Sequence, residues 1–320
     1  YIFSIGTSIY YAEMNFTPEI LFENIREVRP TFLTAVPRIF EKIHAKILDS
    51  VASMTGVKRK LADWSISVGL QTVPYRQRSQ KLPFMLGIYY NIADKLVLNK
   101  FRAALGGKVR ACSSGGSALS KEVGSFFCGI GITIIEGYGL TETSPVMTVG
   151  HSDFFKFGTV GKPIPGVEVK IQPDGEIVCR GHNVMMGYYK NEEATNEAII
   201  DGWFHSGDIG EFDEDGLLRI TDRKKSLIVT SGGKNVAPQP MEVSLTSNKY
   251  IEQCNIVGDD RNFISALIVP SKENLLAWAE EQGLASLDYD ALCAHDQTYE
   301  HYDAIVKTVM TNFSRYESVR

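Results

Sequence analysis

The sequence lacks the signature motifs of several common functional classes. Its five cysteines include no C-x-x-C pair and its six histidines no H-E-x-x-H, so a zinc site is not indicated. No G-x-x-x-x-G-K-[ST] loop occurs, and no G-x-G-x-x-G follows a strand, which argues against a P-loop NTPase and against a Rossmann dehydrogenase. No apolar run is long enough to span a membrane.

A strong charge imbalance is also missing. The 320 residues carry a net charge of -5, with 44% hydrophobic and 22% charged residues, which is typical of a globular protein with more than one domain. Because no basic stripe is present, a nucleic acid is not a predicted partner. The odd number and wide spacing of the cysteines predict free thiols in a reducing cytoplasm.

The stretch Glu136–Pro145 is the most informative part of the chain. It follows the apolar run 130–135, which predicts a buried strand. Its glycines allow a ligand to approach the backbone, and Tyr138 offers a flat face for a purine. Thr141 can donate to a phosphate oxygen, and Glu142 is a hard oxygen ligand for Mg²⁺. The pattern predicts a nucleotide site, with an ordinary glycine-rich turn as the alternative.

The order of the predicted elements favours an α/β fold. Helix, strand and helix alternate over residues 16–50, residues 51–105 are helical, and a strand near 109–112 precedes a helix with Ser120 as its N-cap. This strand–helix–strand order predicts a parallel sheet. From about residue 160 turn signals separate alternating strands, and beyond Asp222 strands and helices predict a compact α+β domain.

Four further segments carry candidate chemistry. Ser113–Ser117 is a small-residue loop after a strand, suited to a closely approaching ring or carbonyl, or simply a turn. Asp208 could accept both hydroxyls of a ribose, or cap a turn. Thr221–Lys225 is a solvated linker or a hinge, and Ser231–Asn235 is a plain hairpin or a phosphate and pantetheine contact.

In this order, these segments resemble the adenylate-forming superfamily of acyl-CoA synthetases, peptide-synthetase adenylation domains and beetle luciferases. Glu136–Pro145, His205–Asp208 and Asp222–Asn235 carry the resemblance, which extends over the whole chain. The stretches 6–13, 27–31 and 35–42 are similar to long-chain fatty acid–CoA ligases specifically, as are 221–225 and 230–235.

The resemblance implies a two-step reaction with ATP, Mg²⁺ and coenzyme A. A long-chain fatty acid is converted to acyl-adenylate and pyrophosphate, and the CoA thiol then displaces AMP. The implied catalytic residues are Thr141, Glu142 and Asp222, with Glu142 also the Mg²⁺ ligand. The implied cofactor-binding residues are Gly115, Gly116, Glu136, Gly137, Tyr138, Gly139, Asp208, Arg223, Gly232, Gly233 and Lys234.

Individual roles follow from the same resemblance. Tyr138 packs on adenine, Gly115 and Gly116 line the adenine and acyl side, and Thr141 touches phosphate. Asp208 binds the ribose diol with help from Arg223. Asp222 is the pivot of a small domain that turns between the half-reactions, and Lys234 approaches CoA.

The resemblance also implies the domains. Residues 1–221 are expected to be the C-terminal part of a large adenylation domain, with a β-rich subdomain at about 155–221, and residues 222–320 a small α+β domain. The Ser/Thr/Gly-rich phosphate loop and the adenylating lysine of the family are both missing. Loss of one preorganised transition-state donor costs about 10²–10³ in rate. We therefore expect a fragment that does not turn over by itself.

Three alternatives stay open. The acyl acceptor could be a carrier-protein phosphopantetheine instead of CoA, or the chain could be a non-catalytic nucleotide-binding homologue. Weak peripheral membrane association could arise in the 51–105 segment, where Arg76, Arg78 and Lys81 lie near Leu82, Phe84 and Met85. A solvated helix face is the other interpretation of that segment.

Overall fold

The computed structural model describes residues 6–11, 18–224, 228–229, 235–259, 261, 263–314 and 319, without side chains for 18, 19, 229 and 235. The chain forms two compact units. The first comprises residues 1–139 and 148–162, and the second residues 140–147 and 163–320. The predicted boundary at residue 222 falls inside the second unit and stays a prediction.

The first unit begins as an alternating α/β structure. Its elements are α1 Pro18–Val28, β1 Phe32–Ala35, α2 Pro37–Ala52, α3 Gly56–Arg76, α4 Phe84–Ala93, a π-helical turn Asp94–Leu98, α5 Asn99–Ala104, β2 Ala111–Ser114, α6 Lys121–Gly129, β3 Thr133–Tyr138 and β4 Thr148–Val149. Pro37 occupies the start of α2, where a missing N–H costs nothing. Ser120 caps α6 by accepting the Val123 N–H at 3.2 Å, as predicted.

A parallel sheet forms the centre of this unit, which confirms the predicted fold class. β1 pairs in parallel with β2, and β2 with β3, so that Ala35, Ser114 and Glu136 lie in one row at the carboxyl ends of three strands. β4 then pairs antiparallel with β3. The core beside the sheet is built from buried apolar side chains such as Phe40, Phe127 and Ile134. Its burial supplies most of the stabilisation of the unit.

Two helices of the first unit approach closely at paired glycines. A Cβ atom built on Gly69 of α3 would lie 2.8 Å from the carbonyl oxygen of Gly129, the last residue of α6. A Cβ on Gly129 would lie 2.9 Å from the backbone of Gly69. The absence of side chains at both positions therefore sets the distance between α3 and α6.

The second unit contains hairpins followed by an α+β region. Its elements are a 3₁₀ turn Thr141–Thr143, β6 Val167–Ile171, β7 Glu176–Gly181, α7 Glu192–Ala198, β8 Ile199–Ile200, β9 Trp203–Phe212, β10 Leu218–Arg223, β11 Ile228–Val229, β12 Asn235–Val236, α8 Pro238–Thr246, β13 Ile251–Val257, β14 Ser265–Pro270, α9 Lys272–Glu281, α10 Tyr289–Cys293 and α11 Asp296–Met310. The short strand β5, Lys162–Pro163, spans the point at which the chain passes from the first unit to the second.

The hairpins form an antiparallel sheet with the strand order β10-β9-β7-β6. The predicted turns at Asp174–Gly175 and Asp215–Gly216 join neighbouring strands, and the N–H groups of Gly175 and Gly216 close them by bonding to Gln172 and Asp213. A separate core of buried apolar residues, including Met241, Leu245 and Leu275, organises residues 228–310. The predicted hairpin region and α+β region are both confirmed.

Candidate functional site

The motif Glu136–Pro145 is shared between the units, with the chain passing from the first to the second after Gly139. Its first three residues belong to β3, because Gly137 and Tyr138 pair with Val149 and Thr148 of β4. The expectation that the whole motif lies beyond the strand is therefore wrong at its start. The strand continues because it finds a partner further along the chain.

The first unit brings the loop after β2 beside the end of β3. Gly116 has a φ of +86°, which side chains rarely adopt. A Cβ atom on Gly115 would lie 3.7 Å from the carbonyl oxygen of Gly137, so the loop and the strand approach each other closely. Tyr138 is buried, with 9% of its surface exposed, and Gly139 ends the unit's first segment. The predicted residues Gly115, Gly116, Gly137, Tyr138 and Gly139 thus lie on adjoining parts of one sheet edge.

The Glu136 carboxylate faces the backbone of its own unit. The Leu119 N–H donates to Oε1 at 3.3 Å, and the Gly158 N–H donates to the same carboxylate. Burial raises the pKa of Glu136 to about 7, although these two bonds oppose the shift. The carboxylate thus joins β3 to two loops, and its role in ligand binding stays a prediction.

Glu142 is held by a tyrosine that sequence analysis did not identify. The Tyr188 hydroxyl donates to Glu142 Oε1 at 2.9 Å, and the Met185 N–H donates to the Glu142 carbonyl at 2.8 Å. Burial raises the pKa of Tyr188, and the bond to Glu142 and its negative charge raise it further. Thr141, the residue before Glu142, is exposed. No local pattern marks Tyr188, because its partner is 46 positions away.

The loop that carries Thr141 and Glu142 is fixed at both ends. Thr143 Oγ1 accepts the Leu140 N–H at 2.9 Å and donates to the Pro145 carbonyl at 2.8 Å. The Asn183 amide donates to the Val146 carbonyl at 2.9 Å. The segment from Asn183 to Tyr188 therefore supports this loop over most of its length.

Asp208 and Arg223 form an ion pair in the second unit. Asp208 lies in β9 and is buried, and Arg223 ends β10 with 68% of its side chain exposed. Arg223 Nε is 3.2 Å from Asp208 Oδ1. A buried carboxylate beside an exposed guanidinium can accept hydrogen bonds from a polar ligand while its charge remains compensated.

Asp222 lies inside β10 and is 1% exposed, so the solvated-linker interpretation is wrong for this residue. The Arg223 N–H bonds to its Oδ1, while Oδ2 has no hydrogen-bond partner among the described residues. Burial raises the pKa of Asp222, and the charges of Glu242 and Asp208 raise it further against the bond from Arg223. Its role as the pivot stays a prediction.

A second residue that sequence analysis missed is Glu176, the first residue of β7. The Pro173–Asp174–Gly175 sequence before it indicated only a turn. Glu176 is buried and contacts Gly207, His205 and Lys224, all close in sequence to Asp208 or Asp222. The predicted residues Gly232, Gly233 and Lys234 lie outside the described residues.

The residues present suit Mg²⁺ held mainly by a substrate. Within the described ranges, no three His, Cys, Asp or Glu side chains cluster as a metal site. Mg²⁺ commonly binds one or two carboxylates together with substrate phosphates and keeps several waters. A single oriented carboxylate, as at Glu142, fits that mode of binding.

Family comparison agrees with these observations. Residues 1–189 match the model of the AMP-binding enzyme family, and residues 225–316 match its C-terminal domain. The chain therefore belongs to the AMP-binding enzymes. Among curated relatives, the long-chain-fatty-acid–CoA ligase FadD15 of Mycobacterium tuberculosis is 40% identical over 313 residues, which are 96% of this chain and 51% of that protein. Long chain acyl-CoA synthetase 1 of Arabidopsis thaliana is 33% identical over 96% of this chain and 48% of its own length.

Solved structures share the fold. The anthranilate CoA ligase AuaEII, in complex with anthranoyl-AMP, superposes with a TM-score of 0.64 at 16% identity, over 98% of this chain and 49% of that one. The adenylation domain of a carboxylate reductase from Mycobacterium chelonae superposes with a TM-score of 0.65 at 21% identity, over 98% and 44%. The chain spans about half the length of the curated relatives it matches.

Proposed function

We propose that the protein containing this chain is an AMP-forming long-chain fatty acid–CoA ligase. The observation that carries the proposal is the 40% identity to FadD15 ligases over 96% of the chain. The buried Asp208 on its ion pair and the oriented Glu142 add support from the site itself. The resemblance implies a ribose contact for Asp208 and a Mg²⁺ contact for Glu142.

The first half-reaction forms a mixed anhydride. A fatty-acid carboxylate oxygen attacks the α-phosphorus of ATP, and the bond to the bridging oxygen breaks to release pyrophosphate. Tyr138 would pack against adenine, Gly115 and Gly116 would admit the adenine and acyl groups, and Asp208 would accept the ribose hydroxyls. Thr141 would donate to a phosphate oxygen. Glu142 would hold Mg²⁺, which neutralises phosphate charge.

The second half-reaction transfers the acyl group. The CoA sulfur attacks the acyl carbonyl as a thiolate, and the bond to the AMP oxygen breaks. Asp222 would be the pivot of the accompanying small-domain rotation, Arg223 would assist the ribose contact, and Lys234 with Gly232 and Gly233 would approach CoA. A rotation is physically sensible because one arrangement cannot present both an adenylating lysine and a thiol channel to the same carbonyl.

The experiment that tests this function is ATP–pyrophosphate exchange across acids from acetate to palmitate, with benzoate and amino acids included. The protein tested carries this chain together with the phosphate loop and the adenylating lysine of the family. Exchange that rises with fatty acyl length is expected. Exchange driven only by aromatic or amino acids would contradict the fatty-acid proposal.

The acceptor is tested in the same assay by comparing CoA with a carrier protein bearing phosphopantetheine. Faster acyl transfer to CoA is expected, and transfer to the carrier protein alone would favour the other adenylating class. If no acid supports exchange but AMP still binds, the non-catalytic alternative would replace the proposal.

We also propose that the enzyme is cytoplasmic and associates peripherally with membranes. The surface of the first unit supports the membrane association. Within the described residues, no helix is long and apolar enough to cross a bilayer. Helix α4 instead exposes an apolar stripe: Phe84, Met85, Ile88, Tyr89 and Ile92. Residues 64–120 contain Asp94 as their single acidic residue but eight basic ones: Arg76, Arg78, Lys81, Lys95, Lys100, Arg102, Lys108 and Arg110. Apolar and basic groups together suit an anionic lipid surface.

Sedimentation with vesicles tests this association. Binding to phosphatidylserine-containing vesicles, weaker on phosphatidylcholine alone, is expected for the unaltered protein. Phe84→Ser should reduce it, whereas Val57→Ser, at an equally exposed apolar position of α3, should not. The association would be overturned if the unaltered protein and both variants sedimented equally, or if the unaltered protein did not sediment with either kind of vesicle.

A further inference from the structure

The strand that carries Asp208 contains a bulge. In the pairing of β7 with β9, Val178 lies opposite His205 and Glu176 lies opposite Ile209. Two steps along β7 therefore correspond to four steps along β9, so the intervening residues Ser206, Gly207 and Asp208 contain two more residues than the ladder requires. Bulges of this kind redirect a side chain and are enriched beside active sites.

Side chains replace the interrupted ladder at this bulge. Ser206 Oγ donates to the Ile177 carbonyl at 2.6 Å and accepts the Asp208 N–H at 3.1 Å. The Gly207 N–H donates to Glu176 Oε1 at 3.0 Å, and Gly207 has a φ of +71°. Ser206 and Glu176 thus fix the backbone N–H groups of Asp208 and of Gly207 before it.

Glu176 is the central group of this arrangement. Besides Gly207, its carboxylate contacts His205 Nδ1 at 2.9 Å and Lys224 Nζ at 3.3 Å, both through Oε2. Its side chain is 8% exposed. Burial by itself raises the pKa of Glu176, but the hydrogen bonds from His205, Gly207 and Lys224 outweigh this effect and hold the pKa below its ordinary value. The carboxylate is therefore ionised and fully engaged at neutral pH.

The same carboxylate connects the bulge to the end of β10. The Lys224 N–H donates to the Gly207 carbonyl at 2.7 Å, and Lys224 Nζ also lies 2.7 Å from Asp174 Oδ2. Lys224 directly follows Arg223, the ion-pair partner of Asp208. Glu176 therefore contacts both the backbone of Gly207, before Asp208, and the side chain of Lys224, which follows Arg223.

We propose that Glu176 is a positioning residue that holds the β9 bulge so that Asp208 faces the ribose hydroxyls of the nucleotide. The inference rests on the proposed function, because it requires Asp208 to bind ribose. A carboxylate suits the position since all three neighbours present N–H groups to it. A glutamine at this position would turn an NH₂ group toward one of these donors and leave a buried N–H without an acceptor.

The test compares the affinities of the full chain for AMP and for 2′-deoxy-AMP by titration calorimetry. The dissociation constant for 2′-deoxy-AMP divided by that for AMP reports the ribose contact alone. A general loss of stability would weaken the binding of both ligands alike and would leave this ratio unchanged. Asp208→Ala should bring the ratio close to unity. Glu176→Gln should reduce the ratio by roughly tenfold or to unity, because small displacements of a binding group are costly.

Two further variants keep the test decisive. Glu176→Asp retains the charge but withdraws the carboxylate from Gly207 by one methylene, and should also lower the ratio, even if Glu176→Gln does not fold. Glu168→Gln alters an exposed glutamate on the neighbouring strand β6, paired with Arg180 at 2.8 Å, and should leave the ratio unchanged.

The outcomes separate the two proposals. If Asp208→Ala removes the discrimination but the folded Glu176 variants keep it, the positioning role is overturned and the ribose role of Asp208 stands. If the unaltered chain fails to distinguish AMP from 2′-deoxy-AMP, or does not bind AMP, the ribose role itself is contradicted and the positioning role falls with it.

Discussion

The Tyr188 hydroxyl lies 2.9 Å from Glu142 Oε1 and donates a hydrogen bond to it. A ligand carboxylate that is oriented by a second side chain binds metal more tightly, because less freedom is lost on coordination. Tyr188→Phe should therefore raise the Mg²⁺ concentration needed for half-maximal ATP binding by roughly tenfold. Titration of ATP at fixed Mg²⁺ concentrations measures this shift. Tyr189→Phe, at a neighbouring tyrosine that is 86% exposed, is the matched control and should behave as the unaltered protein.

Asp208→Ala should weaken AMP binding. If the carboxylate makes two charge-assisted hydrogen bonds to the ribose, their loss costs roughly 3 kcal/mol, or about a hundredfold in affinity. Titration calorimetry with AMP gives the value directly. Glu211→Ala removes an exposed carboxylate from the same strand and should have little effect. Unchanged affinity in Asp208→Ala would contradict the ribose assignment.

Glu136 should make the stability of the chain depend on pH. Its pKa in the folded state is about 7, above the ordinary 4.5. The folded protein therefore holds the proton more tightly than the unfolded chain does. The destabilisation is absent below pH 4.5, grows as pH rises, and is complete above pH 7, where it reaches about 3 kcal/mol.

Urea unfolding at pH 5 and at pH 8 measures this difference. Glu136→Gln cannot ionise, so its free energy of unfolding should fall less between the two pH values than that of the unaltered chain. Glu23→Gln, at an exposed position of α1, should retain the original pH dependence. Identical pH profiles for Glu136→Gln and the unaltered chain would contradict the assigned pKa.

Gly69→Ala should destabilise the first unit. The added Cβ would lie 2.8 Å from the Gly129 carbonyl oxygen, so the backbones of α3 and α6 must separate. Overpacking of this kind costs about 1–3 kcal/mol. Gly87→Ala is the control: its Cβ would meet no described atom within 4 Å, and it should stabilise α4 by up to about 1 kcal/mol. Chemical denaturation compares the two variants, and equal stabilities would refute the close approach.

Local sequence patterns predicted the elements well where local physics determines them. Pro37, the Ser120 cap and the turns at Gly175 and Gly216 each act within a few residues, and the structure confirms them. The end of β3 was missed because its last two residues extend the strand only by pairing with β4, beyond the 3₁₀ turn. Strand length is then decided by the partner rather than by the residues themselves.

In the candidate site too, residues in local motifs could be predicted from sequence, whereas residues defined by distant contacts could not. Asp208 and Glu142 belong to compact motifs whose residue types suggest their chemistry. Tyr188 and Glu176 gain their importance from contacts 46 and 29 positions away, which no short pattern records. The burial of Asp222 was likewise invisible to sequence, because a charged residue followed by three cations resembles a solvent-exposed linker.

The β9 bulge restricts how this region of the protein can change in length. Burial alternates along the strand, with Phe204, Asp208 and Gly210 inside and their neighbours more open, and this alternation continues across the bulge because it adds two residues. Deleting one residue there would turn every following side chain of β9 to the opposite face, whereas deleting two would preserve the faces and remove only the bulge. The fold should therefore tolerate length changes at this position in pairs, although loss of the bulge would also remove the backbone that positions Asp208.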